Sequence, residues 1–262
     1  MTMNTIDFIT ELFCKVDDNI DGKHPQSNLY HSEVVTLGFL YALKGCGQRK
    51  FWRWLKKDYT PLFHPLPHRT RLFRLFNTHR HYIQRFMADP SIIGVIDSYG
   101  IELLHPIREG RSEKQIGKKG KSNKRWIVGG KLCFLLNHLG LVISWDCDTA
   151  NVYDGSAFQN LVDDVADQMV VFADTGFEKS DWHPTNLRIC KRGEWNVRML
   201  IETALSMLTY VCDFKHSRHK LWEYFVTKVG FTVALFNILV QWHGFQPDEN
   251  GFVHLSIAEF SL

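Results

Sequence analysis

The chain has 262 residues, 45% of them hydrophobic, and a net charge of +3. That is enough apolar material for one large core or two modest ones, so a disordered chain is excluded, and the overall charge by itself does not announce a nucleic-acid partner. The six cysteines (14, 46, 133, 147, 190 and 212) form no C-x-x-C pair, which argues against a zinc knuckle or a disulfide framework and for a reducing cytoplasm.

Asp7 and Glu11 interrupt the first apolar stretch, unlike a signal peptide. Residues 1–90 then read as helical. Ser32 is placed to cap a helix through Val34, Leu37, Leu40 and Tyr41, with Glu33 complementing the dipole in its first turn. "QRKFWRWLKKDY" puts Phe51, Trp54 and Leu55 on one face and Arg49, Arg53, Lys56 and Lys57 largely on another. After "TPLFHPLPH" a third helix turns Leu72, Leu75, Phe76 and Ile83 inward and Arg71 and Arg74 outward. Ten basic residues against the single acid Asp58 between positions 49 and 85 suit a helical DNA-binding region. An ordinary solvated charged face is the plainer alternative.

From residue 91 the period changes. "SIIGVIDSYGIEL" is a β-branched run that ends on a carboxylate, Asp97. Such a group is costly to desolvate unless something pairs with it, although turns also use Asp in this way. A second basic segment follows, from Arg108 to Lys131, containing Lys118, Lys119, Lys121, Lys124 and Arg125. Leaving the first strand directly after Asp97, it is expected to touch DNA backbone near the reacting end. Its "GKKGKS" is not a phosphate loop, because Gln115 stands where the first glycine is required. "RWIVGGKLCFLL" and "GLVISWDCD" read as two antiparallel strands around the turn "NHLG", "DGSAFQNLVDDVADQ" as a crossover helix, and "MVVFADTGF" as a strand that also ends on an aspartate, Asp174.

A helical crossover returns the chain parallel to an existing strand. If the fourth strand pairs with the first, Asp97 and Asp174 emerge side by side, a hard-oxygen pair suited to magnesium or manganese. "LRIC" reads as a short strand, and "EWNVRMLIETALSMLTYV" as a helix with Val197, Ile201, Leu205 and Leu208 inward. Glu202 lies one position from that stripe and can reach over the sheet, with Asp163, Asp164, Asp167, Glu178 and Glu194 as the other acids nearby. An Arg198–Glu202 surface pair is the structural alternative. His216 and His219 have no acid or cysteine at ligand spacing, so they read as surface or DNA-facing residues. The apolar run from Val229 to Trp242 falls short of the roughly 18 to 20 residues of a membrane span and reads as a buried core helix.

In order along the chain, "SEVVTLGFLYAL", "FWRWL", "IGVIDS", "GGKLCFLLNHLGLVISWDCDTANVYDGSAF", "VVFADTGF", "IETALSML" and "FKHSRH" resemble a bacterial insertion-sequence transposase of the DDE class, most of all the nine-eight-two group. The resemblance spans nearly the whole chain. It implies an α/β, RNase H-like catalytic domain over residues 91–262, with a mixed sheet, a three-strand meander and flanking helices, behind a DNA-binding region at 1–90. It makes Asp97, Asp174 and Glu202 the catalytic acids and the ligands of two Mg2+ or Mn2+ ions. Where related transposases carry Tyr, Arg, Glu and Lys around the last acid, this chain has Trp195, Arg198, Glu202 and Thr209. Tyr99 and Gly100 stand in place of the family's Ser-x-Pro.

DNA contacts are implied for Arg198, His216 and Arg218 as well as for the two basic segments. The implied reaction is hydrolysis at an element end followed by attack of the freed 3′-hydroxyl on target DNA, with no covalent protein intermediate. The implied partners are duplex DNA, as terminal inverted repeats and target, and a second protomer or more; the implied location is the cytoplasm at the nucleoid, without a membrane. A non-catalytic regulator derived from a transposase and an RNase H-like nuclease without strand transfer are the competing readings.

Overall fold

A computed structural model describes residues 4–122, 125–179, 181–190, 198–214, 219–245, 249, 255–260 and 262, with the side chains of 198–200 excluded. The chain begins with four helices: α1 (Thr5–Asp17), α2 (His31–Leu43), α3 (Gln48–Asp58) and α4 (Arg69–His79), the last followed by a 3-10 segment, Arg80–Phe86. The start of α2 departs from expectation. Tyr30 is the N-cap, its N–H donating to the Glu33 carboxylate at 2.7 Å, while Ser32 is buried inside the first turn. Glu33 therefore holds the helix start itself, and no serine is needed as the cap. As the periodicity predicts, α3 buries Phe51 and Leu55 and leaves Arg49, Arg53, Lys56 and Lys57 exposed.

The sheet is mixed. β1 (Ile93–Leu104) pairs antiparallel with β3 (Arg125–Asn137), and β3 pairs antiparallel with β4 (Val142–Thr149). Beyond the end of β4, the same edge of β3 is taken by β2 (Lys118–Ser122). The crossover comprises two short helices, α5 (Asp154–Ala157) and α6 (Gln159–Asp163), instead of one, broken at the fully buried Phe158. The chain then returns as β5 (Val170–Ala173), parallel to β1, and continues to β6 (Leu187–Ile189), parallel to β5. An antiparallel meander with parallel strands added beside its first member is compatible with an RNase H-like core.

Each face of the sheet has its own packing. Ile96, Cys133, Leu135 and Val171 face α5 and α6. Val95, Ile101, Leu132 and Phe134 face α7 (Arg198–Cys212) and α8 (Trp222–His243), and that apolar cluster continues without a break into α1–α4. By length and composition α8 passes for a membrane span, but Val229 to Val240 are buried inside the protein. A polar seam lies within this core. The fully buried Asn237 of α8 accepts from Val142 N at 2.8 Å and donates to Val142 O at 2.7 Å and to Phe86 O at 2.9 Å. Its amide is thereby satisfied, as burial requires.

Candidate active site

The parallel ladder between β1 and β5 sets Ile93 opposite Val170, Gly94 opposite Val171 and Val95 opposite Phe172. Continued for two residues, that register puts Asp97 level with Asp174. The two acids then share one face of the sheet, a strand spacing of about 4.8 Å apart. The face is the one covered by α7, since Asp97 lies opposite Phe134 on β3 and Phe134 belongs to the cluster with Ile201 and Leu208. Both aspartates are half-buried, while Glu202, next to the buried Ile201, is exposed on α7.

Asp97 is not at a strand end. β1 runs on to Leu104, and what ends near Asp97 is its parallel neighbour. The loss of that neighbour opens the carboxylate to solvent on one side. The extension also moves the basic segment. Chain leaves β1 seven residues beyond Asp97, about 23 Å along a strand, and Lys118, Lys119 and Lys121 lie on β2, at the level of Glu102 and beyond. The expectation that this segment adjoins Asp97 is corrected accordingly. These lysines are exposed on an edge strand, where charge also guards against edge-to-edge pairing, and Arg125 is exposed at the start of the adjoining β3; Lys119 pairs with Glu109 at 3.0 Å.

Lys124, His216 and Arg218 lie outside the described residues, as do Trp195 and Glu194, and of Arg198 only the backbone is described. Asp163, Asp164 and Asp167 are exposed around α6, with Asp163 accepting from Trp182 Nε1 at 3.1 Å, away from the paired acids. Glu178 is exposed, and its backbone carbonyl accepts from the Tyr153 hydroxyl.

A further acid, missed in the sequence, braces the site from the other face. Asp154 opens α5, and its Oδ2 accepts from Ser98 Oγ at 2.8 Å, next to Asp97. Its Oδ1 lies 2.9 Å from Lys131 Nζ, which donates to Val152 O at 2.9 Å. Lys131 faces this way because it pairs with Gly100, two residues along β1 from Ser98. Asp174 Oδ1 accepts from Gly176 N at 2.8 Å, closing the turn after β5. A methyl group built on Gly176 would stand 2.8 Å from Asp174 Oδ1 and 3.3 Å from Asp154 Oδ2, so both carboxylates close in on this glycine and leave no room for a side chain. The signals available in the sequence were an acid at the start of the crossover, "YDG", and a lysine inside an otherwise apolar strand, "GGKLCF".

The local potential is negative. Burial, and then the charges of Asp154, Asp97 and Asp146, hold the Cys133 thiol well above its ordinary range. Hard carboxylate oxygens in a negative pocket are a donor set that fits a divalent cation. Among the described residues, however, no three His, Cys, Asp or Glu side chains converge as placed into a ready-made metal cage.

Neither a search of curated proteins nor one of solved structures gave a match. Residues 87–188, less than half of the chain, match the family model of the transposase DDE domain, a stretch that runs from just before β1 into β6 and takes in Asp97, Asp154 and Asp174 but stops short of Glu202.

Proposed function

We propose that this chain is an insertion-sequence transposase of the nine-eight-two type, which cleaves DNA at the element's ends and joins the freed 3′-hydroxyl to target DNA. The observation that carries the reading is the register that makes Asp97 and Asp174 neighbours on one face, within the segment that matches the transposase DDE domain. In this reading Asp97, Asp174 and Glu202 hold two Mg2+ or Mn2+ ions, which would supply charge stabilisation for the attacking and leaving oxygens of a phosphodiester. Asp154 and Lys131 set the backbone around Asp97 through Ser98, and the Gly176 N–H orients Asp174.

Residues 1–90 serve as the DNA-binding region and 91–262 as the catalytic domain. The exposed stripe Arg49, Arg53, Lys56 and Lys57 contacts phosphates, as do Lys118, Lys119, Lys121, Lys124, Arg125, Arg198, His216 and Arg218. The partners are inverted-repeat and target duplexes and at least a second protomer, at the nucleoid in the cytoplasm. The test uses Asp97→Asn, Asp174→Asn and Glu202→Gln, each of which keeps shape and removes charge. Mg2+-dependent cleavage of an element end should vanish in all three while DNA binding stays near that of the wild type. A Glu202→Gln protein cutting at the wild-type rate would remove the third acid from this assignment. A wild-type protein that binds DNA without cutting it would favour the regulator, and one that cuts without joining would favour the nuclease.

A further inference from the structure

A cavity of about 930 Å³ opens between the start of α3, the start of α4 and the N-terminal half of α8. Its wall carries Arg49, Lys50, Arg69 and Lys220, with Asp213 as its one acid among the described residues. The helix that opens onto it is built against its own dipole. α3 starts at Gly47 with no side chain capping its free N–H groups, no acid stands in its first turn, and Arg49 and Lys50 occupy that turn instead. A helix N-terminus favours negative charge, so two cations there are unfavourable until an anion arrives. Nothing lies within 4 Å of a methyl group built on Gly47, so the approach is open.

A second, independent feature points into the same space. Lys228 of α8 is 5% exposed and lines the cavity, with its Nζ 5.5 Å from the ring of Tyr41 and the charge of Asp213, on the same wall, acting on it. No carboxylate of the described residues is within ion-pair distance of it. A buried ammonium whose opposing charge, Asp213, stands beyond ion-pair distance is a costly arrangement, and natural proteins pair such groups or use them for a ligand.

We propose that this cavity is a phosphate-binding site for the backbone of DNA, with the N-terminus of α3, Arg49, Lys50, Arg69 and Lys220 around the phosphates and Lys228 beneath them. Free helix N–H groups with converging cations are the usual physical means of holding phosphate. The inference rests on the DNA-binding part of the function proposed above and adds a defined seat between the N-terminal helices and α8. Burial holds the Lys228 ammonium below the ordinary lysine range, and a bound phosphate would reverse that shift.

The test measures binding of a duplex oligonucleotide to the full chain over a range of salt, for the wild type, for Lys50→Ala/Arg69→Ala/Lys220→Ala and for Lys228→Met. The cavity triple variant should bind at least about tenfold more weakly, and the slope of log K against log salt should fall by about 2 to 3, near 0.9 for each phosphate that is no longer neutralised. Lys228→Met should weaken binding in the same direction. The triple variant changes exposed or half-buried positions, so it decides the matter if Lys228→Met fails to fold. Wild-type affinity and slope in the cavity triple variant would overturn the proposal. So would a protein whose cavity resonances shift with inorganic phosphate while its DNA affinity ignores the triple variant. Mg2+-dependent cleavage is scored separately: loss of cleavage with cavity-dependent binding intact would sink the transposase reading and leave this seat standing.

Discussion

Replacing Lys131 with Met while keeping Asp154 tests the brace behind the paired acids. The two groups are 2.9 Å apart, with side chains 13% and 16% exposed. At an effective dielectric constant near 20, that separation corresponds to about 6 kcal/mol of gross attraction, most of it offset by desolvation of the two charges. Removing one partner strands the other, so Lys131→Met and Asp154→Asn should each cost about 3 kcal/mol. The double variant strands neither charge and should cost no more than about 1 kcal/mol instead of the roughly 6 expected of independent sites, a coupling of about 5 kcal/mol. Urea unfolding at pH 7 measures all four corners of the cycle. Single costs that simply add, or that each stay below about 0.5 kcal/mol as for an exposed pair, would refute the claim that this ion pair is a buried brace.

Gly176→Ala should leave global stability within about 1 kcal/mol, because the crowded atoms are carboxylate ends that can turn away, but it should displace Asp174 Oδ1 and weaken Mn2+ binding and Mg2+-dependent cleavage together; unchanged Mn2+ affinity by titration would show that the placement of Asp174 by this turn does not matter for metal. His219, whose Nε2 lies 3.5 Å from the Tyr41 hydroxyl, is held at about 4 by burial and then by the charge of Lys228. The unfolded chain therefore binds the extra proton between the ordinary value of 6.5 and about 4, so stability should rise with pH across that window and be lost as pH falls through it, on the order of 3 kcal/mol in full. Unfolding titrations of the wild type and His219→Gln should diverge below pH 6.5, and parallel curves would refute the assignment.

The part of the site legible in the sequence was the part written in period and order. A β-branched run, two further strands, an apolar crossover and another β-branched run sufficed to place β5 parallel beside β1, the adjacent strands that carry Asp174 and Asp97, because a crossover fixes strand direction. The amphipathic α3 was legible from its period. β2 was hidden, since "KKGKS" carries charge on both faces and buries only Gly120. The continuation of β1 was hidden by its change of surroundings: beside the end of β5 the strand turns to Asp97, Ser98, Tyr99 and Gly100, three of them only partly buried, a stretch that resembles a turn into a loop. Asp154 escaped notice because its partners, Ser98 and Lys131, are 56 and 23 positions away along the chain, and only the pleat of β1 and β3 brings them to one side. The split of the crossover at Phe158 follows from a buried ring, a matter of packing that hydrophobic period does not encode.

Asn237 gives the molecule a fixed gauge length. Its single amide grips Phe86, at the end of the N-terminal helices, and Val142, at the first residue of β4, so α8 cannot slide along the sheet without breaking three hydrogen bonds in a dry core. The consequence is metrical: a duplex seated on α3 would meet Asp97 at one offset, and the number of base pairs between the segment gripped and the bond cut would be a constant of the protein, set by an asparagine that touches neither.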